Sequence, residues 1–165
     1  TVYVIGSQAI LASWPDAPSA TRRSIEFDAY PGNAAAWESK HAGLEASEEI
    51  EALFGYGSRF HLTFGFYIDG VDETTATFPR DWVTRAVRVQ VEDGDRTITA
   101  IAPALDDLIV SKLARLDDKD KSFIVACHGV KPLDVPHLEK LLERTKLDPA
   151  SRSQAVRFVQ SLIRK

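Results

Sequence analysis

Clean strand-like alternation is confined to the residues before Pro103, and after it every apolar pattern has helical spacing. That asymmetry limits the chain to an α+β architecture, with its sheet built early and its helices late. Residues 1–5 and 24–30 read as strands, the second ended by Pro31-Gly32-Asn33. Residues 60–69 show the cleanest alternation, with Phe60, Leu62, Phe64, Phe66 and Ile68 on one face and His61, Thr63, Gly65, Tyr67 and Asp69 on the other. Residues 87–91 and 97–101 flank Glu92-Asp93-Gly94-Asp95 as the two arms of a hairpin would. Short helical patterns cover 8–13, 34–41 and 45–54, and residues 14–21, with two prolines, read as a loop. Beyond Pro103 the helices are expected at 105–118, 121–128, 135–144 and 151–164. A length of 165 residues fits one domain over 1–165, mainly sheet over 1–103 and helical over 104–165.

Within that helical part, Lys112 is out of place. Leu105, Leu108, Ile109, Leu113 and Leu116 form an apolar stripe at helical spacing, and Lys112 falls inside it. A lysine aimed at a core either snorkels to the edge on its long stem or meets an anion. Lys119, seven residues on, lies near the same face if the helix continues. Two lysines so placed can hold a polyphosphate, with Asp120 orienting one of them or meeting a substrate. A solvated, charged helix end would look the same.

Glu26 and Asp28 stand two apart on a strand, so they share a face, with Cα atoms ~6.5–7 Å apart. Two such carboxylates can share a divalent cation of the kind that drives phosphoryl and nucleotidyl transfer. They are equally at home on a solvent-facing strand. Gly6-Ser7 sits between a strand and a helix, where backbone amides and a hydroxyl suit an incoming phosphate or where Ser7 simply caps the helix. No P-loop and no dinucleotide fingerprint is present. His41, His61, His128 and His137 lack the spacing of zinc ligands, and only His61 is retained for a site. Cys127, the single cysteine, reads as a small buried side chain and excludes a disulfide framework.

The order of these features is informative. Val4-Ile5-Gly6-Ser7-Gln8-Ala9-Ile10-Leu11, Ser24-Ile25-Glu26-Phe27-Asp28, Phe60-His61 through Gly65-Phe66-Tyr67, and Asp107 through Leu113 with Lys119-Asp120 follow one another over about two-thirds of the chain. This order resembles the minimal nucleotidyltransferases of the DNA polymerase β superfamily, and most of all the bacterial group related to AbiEii and MenT toxins. The resemblance implies a mixed sheet flanked by helices, with a helical C-terminal part. It also implies a nucleoside triphosphate and Mg²⁺ (or Mn²⁺) as substrate and cofactor. Glu26 and Asp28 would hold the metal, Gly6 and Ser7 the triphosphate, and Lys112 and Lys119 the phosphates from the helical side. The activity implied is that of a toxin that transfers a nucleotide to a tRNA 3′ end or to a protein and is restrained by a cognate antitoxin. Three features depart from the usual pattern: E-x-D replaces D-x-D, the loop from Ser7 to Glu26 is longer than in the commonest form of the motif, and no motif marks a third carboxylate, for which Asp69 is the only acid on the 60–69 segment. A non-catalytic nucleotide- or RNA-binding module of the same fold is the alternative, and a metal-dependent phosphoester hydrolase would use the same carboxylates.

Charge and hydropathy narrow the partners. A net charge of −4 argues against a generally basic nucleic-acid coat and leaves room for a local patch. For an RNA substrate the phosphate contacts would come from Arg22 and Arg23, and from Arg152, Arg157, Arg164 and Lys165 on the last helix. No apolar run approaches the ~20 residues of a membrane span and no signal peptide pattern is present, so a cytoplasmic protein is expected. The chain opens in a strand without an initiator methionine, which is compatible with a preceding segment.

Overall fold

A computed structural model of the chain describes residues 1–163. Arg164 and Lys165, two of the cations named for RNA contact, lie outside the described residues. The strands are β1 (Val2–Ile5), β2 (Glu26–Pro31), β3 (Tyr67–Gly70), β4 (Val87–Asp93) and β5 (Arg96–Ala102). The helices are α1 (Ile10–Ser13), α2 (Ala34–Glu38), α3 (Ala46–Phe54), α4 (Arg59–Phe64), α5 (Trp82–Arg85), α6 (Leu105–Arg115), α7 (Asp118–Val130), α8 (Val135–Glu143) and α9 (Pro149–Leu162). The strands form one five-stranded sheet in the order β3-β2-β1-β5-β4. Pairing is mixed: β1 runs antiparallel to β2 and parallel to β5, β2 runs parallel to β3, and β4 and β5 form the expected hairpin. A mixed sheet followed by a helical C-terminal part is the α+β fold the sequence predicts.

The core lies among the late helices. Leu108, Ile109, Leu113, Ile124, Leu138, Leu142 and Val159 are all at most 1% exposed. Burying each of them contributes about 1.5–3 kcal/mol. α1 joins this core through Ile10, which ties the start of the sheet to the helices. A second tie is polar: the guanidinium of Arg85 grips the buried carboxylate of Asp107 with Nε and Nη2, locking α5 onto α6. Removing Arg85 would strand a carboxylate that is 1% exposed.

Two expected elements differ. Residues 60–69 are not one strand. The Ser58 hydroxyl accepts the His61 N–H at 3.1 Å and starts α4, and Gly65, in the left-handed region at φ 77°, ends it. Only Tyr67–Gly70 is extended. The alternation of Phe60, Leu62, Phe64 and Phe66 misleads because Leu62 and Phe64 are exposed, while Phe60 and Phe66 pack on each other and on Phe54 and Phe27. Lys112 and Lys119 are also not on one helix. α6 stops at Arg115 because Leu116 turns left-handed (φ 54°) to keep its side chain buried, and Asp117 caps α7 by accepting the Asp120 N–H at 2.8 Å. Elsewhere the boundaries shift by a few residues: the 8–13 pattern is a 3-10 turn leading into α1, the 34–41 pattern ends at Glu38, and the 121–128 pattern widens into α7.

Candidate active site

Strand register builds the site. Ile5 pairs with Asp28 across β1 and β2, which brings Gly6, the residue after β1, against the Asp28 side chain. Gly6 adopts φ 70°, and a β-carbon there would overlap Asp28 Oδ2, so only glycine lets the turn approach so closely. On the other side β2 and β3 run parallel with Glu26 opposite Tyr67 and Asp28 opposite Asp69. Paired residues share a face, so Asp69 comes to lie beside Glu26 and Asp28. Carboxylate oxygens of these three residues lie within 4.8 Å of one another. Three hard oxygen donors at that spacing fit a small divalent cation such as Mg²⁺ or Mn²⁺, with water completing its shell.

The electrostatics agree with a site in need of a cation. Burial, reinforced by the charges of Glu26 and Asp69, pushes the Asp28 carboxyl up to about 6, against a smaller opposing pull from Lys112. Asp69 is raised in the same way, by burial first, then by Glu26 and by a hydrogen-bonded contact with Glu51. Glu26 is held by Tyr67, whose hydroxyl donates to Oε2 at 2.6 Å. That bond, with burial and neighbouring carboxylates behind it, raises the phenol to about 12 and keeps it a donor.

Glu26 and Asp28 line a cleft of about 490 Å³ whose other walls include Gly6, Ser7, the segment Thr75–Thr77 and the α6–α7 corner with Ser111, Lys112, Arg115 and Lys119; Asp69 stands beside them and does not line it. Lys112 is 8% exposed and does not snorkel freely: its Nζ sits 3.2 Å from Asp120 Oδ1 and 5.3 Å from the centre of the Phe123 ring. Asp120, 1% exposed, therefore orients the lysine, one of the two roles the sequence left open. It also takes two hydrogen bonds from Arg115, at 2.7 and 2.9 Å. Lys119 reaches the same cleft from α7 and, among the described residues, has no acidic partner. Ser7 opens the 3-10 turn, with Gly6 rather than Ser7 in the capping position.

His61 stands elsewhere than expected. It lies on α4, where its Nδ1 accepts the Gly57 N–H at 2.9 Å and its ring packs against Tyr56 and Tyr67. Its connection to the carboxylates runs only through Tyr67. Arg22 and Arg23 are exposed ahead of β2 and do not line the cleft, and Arg157 is exposed on α9. Cys127 is fully buried, and burial raises its thiol to about 11, which fits an inert packing residue.

Three contributors were given no role in the site by the sequence. Arg115 was legible only as Lys112 plus one helical turn. Tyr67 and Glu51 become neighbours of the site through the parallel β2–β3 pairing and the packing of α3 on β3, neither of which local sequence announces. Gly70 permits that packing, because a β-carbon there would overlap the Ser47 backbone.

A mixed sheet bearing a carboxylate cluster beside a glycine–serine turn, followed by a helical part, has the form of a polymerase-β-like nucleotidyltransferase core. Sequence comparison assigns the chain more narrowly. It belongs to the family described as "Nucleotidyltransferase of unknown function (DUF6036)", whose model matches residues 2–163. No curated protein and no solved structure gives a significant match.

Proposed function

We propose that this nucleotidyltransferase transfers a nucleotide from a nucleoside triphosphate to a hydroxyl of RNA, a tRNA 3′ end being the leading candidate, or of a protein. The observation that carries the reading is the convergence of Glu26, Asp28 and Asp69 beside the Gly6–Ser7 turn. These three carboxylates would hold Mg²⁺ or Mn²⁺. When bound, the cation supplies charge neutralisation at the phosphates and lowers the pKa of the attacking hydroxyl.

The chain's own residues do the rest. Gly6 and Ser7 present amides and a hydroxyl to the triphosphate, and Lys119 and Lys112 meet it from the helical wall. Fixed cations in a partly closed cleft stabilise charge that builds on the leaving pyrophosphate. The acceptor oxygen bonds to the α-phosphorus, the bond from that phosphorus to the bridging oxygen of the β-phosphate breaks, and pyrophosphate departs. The acceptor proton passes to Asp69, the carboxylate this reading assigns as general base. The resemblance to AbiEii and MenT toxins supports a toxin role, with a cognate antitoxin as partner. The alternative of a non-catalytic module drew on the missing third carboxylate and on the acidic net charge; the place of Asp69 beside Glu26 and Asp28 supports the catalytic reading on the first ground, and the net charge of −4 stands.

The test is incubation with each α-labelled nucleoside triphosphate, total bacterial RNA and Mg²⁺, beside an Asp28→Ala control. Label entering a discrete RNA band, and lost in the control, is the expected result. Label on protein alone would move the acceptor to a polypeptide. Release of nucleoside monophosphate without incorporation would make the protein a hydrolase. No label anywhere, from a folded protein that binds Mg²⁺, would overturn transfer.

A further inference from the structure

A second charged cleft lies a short step along the chain from the carboxylates. Its volume is about 540 Å³, and Arg80, Arg144, Lys146 and Arg152 face only two carboxylates there, Asp81 and Glu143. In a chain of net charge −4 this is a local reversal of sign. The walls are joined by backbone: Pro79 bridges Thr145, and the Arg80 N–H donates to the Arg144 carbonyl at 3.1 Å. Asp81, held in the left-handed region at φ 61°, is paired with Arg144 at 2.7 Å. Those contacts account for one cation. Arg80 and Lys146 have no acidic partner among the described residues. Arg152 spends its Nη2 on the carbonyls of Thr145 and Leu147, and its Nε is the one buried side-chain polar atom among the described residues without a hydrogen-bond partner.

The position of the cleft says what it serves. Thr77 lines the carboxylate cleft and Arg80 lines this one, so three Cα steps, at most ~11 Å, separate the two rims. Phe78 and Trp82, on either side of Arg80 in sequence, stack on each other at 4.6 Å; Trp82 also lines a third cleft with Tyr3 and Tyr30, whose charged residues (Glu38, Asp72 and Glu73) are all acidic and leave the strand's phosphates to the Arg80–Lys146 side. Cations that track a backbone beside aromatic rings that take bases are the means by which proteins hold single-stranded nucleic acid. From this juxtaposition we infer that the Arg80–Lys146 cleft binds the phosphate backbone of a single-stranded RNA acceptor and feeds its end to the carboxylates. The inference rests on the transfer reading, and phosphate contacts of this kind position a strand without reading its sequence.

The test is equilibrium binding of an end-labelled single-stranded RNA oligonucleotide, without metal or nucleotide, across a range of salt. Arg80→Ala/Lys146→Ala is the informative variant, because neither side chain supports the fold through an ion pair. Losing two phosphate contacts should lower the slope of log affinity against log salt by ~1.4 and weaken binding about tenfold near ~0.1 M salt. Arg96→Ala, which removes an exposed cation on the β4–β5 hairpin, should leave both unchanged. Binding of a fluorescent nucleoside triphosphate should survive in the double variant. Equal RNA binding by wild type and double variant, an equal loss in Arg96→Ala, no RNA binding by wild type, or loss of nucleotide binding instead would each overturn the inference. RNA binding that follows the expected pattern in a protein that never transfers label would leave this inference standing while removing the transfer reading.

Discussion

Lys112 Nζ lies 3.2 Å from Asp120 Oδ1, with the two side chains 8% and 1% exposed, and the pair is asymmetric. Asp120 has a second cation, Arg115, on both of its oxygens, whereas Lys112, among the described residues, makes its one ion pair with this carboxylate, beside the face of Phe123 and a weaker attraction to Asp28. Breaking a buried pair from one side leaves an uncompensated charge and costs about 3–5 kcal/mol. Asp120→Ala should pay that cost in full, lowering Tm by about 6–20 °C. Lys112→Met leaves Asp120 neutralised by Arg115 and should cost only about 1 kcal/mol, while weakening triphosphate binding. Urea unfolding of the two variants checks the ordering, and equal losses would show that Arg115 does not sustain Asp120.

Tyr67 is predicted to tune metal affinity. Its 2.6 Å hydrogen bond fixes Glu26 Oε2 and steadies the long arm of the glutamate in the E-x-D pair. Outer partners of a metal ligand are worth ~10–100-fold in affinity. Tyr67→Phe should therefore raise the Mn²⁺ dissociation constant about tenfold, with little change in Tm. Titration of Mn²⁺ followed by electron paramagnetic resonance checks this, and unchanged affinity would reduce the tyrosine to a packing residue.

The raised Asp28 carboxyl gives a signed pH dependence. The folded state holds this proton more tightly than the unfolded chain, so the metal-free protein has the full contribution below the ordinary carboxyl value of 3.8 and loses it as pH rises through about 6. Asp28→Asn should remove that loss, stabilising the metal-free protein near about pH 7 by roughly 1–2 kcal/mol once partial exposure is discounted, or ~2–8 °C in Tm. Added Mn²⁺ should raise the wild-type Tm near about pH 7 and hardly at about pH 5, where Asp28 is protonated. Differential scanning fluorimetry across pH reads both effects; a metal-induced shift of equal size at both pH values would contradict the assignment.

Gly6→Ala should damage the site out of proportion to its size. The new methyl meets Asp28 Oδ2 and the backbone is held at φ 70°, so either Asp28 moves or the turn does. About 2 kcal/mol of stability should be lost together with most Mn²⁺ affinity. Retention of full metal binding in the folded variant would mean that the turn can withdraw without consequence.

Much of the chemistry could be read from the chain because it is local. Gly6-Ser7 after a strand and Glu26-x-Asp28 on a strand are spacing statements, and the period of two puts both acids on one face whatever the rest of the fold does. Lys112 inside an apolar stripe announced a buried cation by the same reasoning at period 3.6. Alternation failed at residues 60–64 because a half-exposed helix rich in phenylalanine mimics it, and the signals that decide the matter, a serine cap and a left-handed glycine, are single residues.

By itself, then, the sequence determined the α+β division at Pro103, the paired acids, the glycine–serine turn and the anomalous lysine, since each depends on neighbours within one turn or one strand. Only the tertiary structure decided that Asp69 completes the carboxylate cluster, that Tyr67 holds Glu26, and that Lys112 and Lys119 reach one cleft from two different helices. The first two join residues some forty positions apart through a parallel strand register, and the third turns a separation of seven residues around a left-handed corner at Leu116. Register and corner are chosen by the burial of the whole molecule, which no short window of sequence contains.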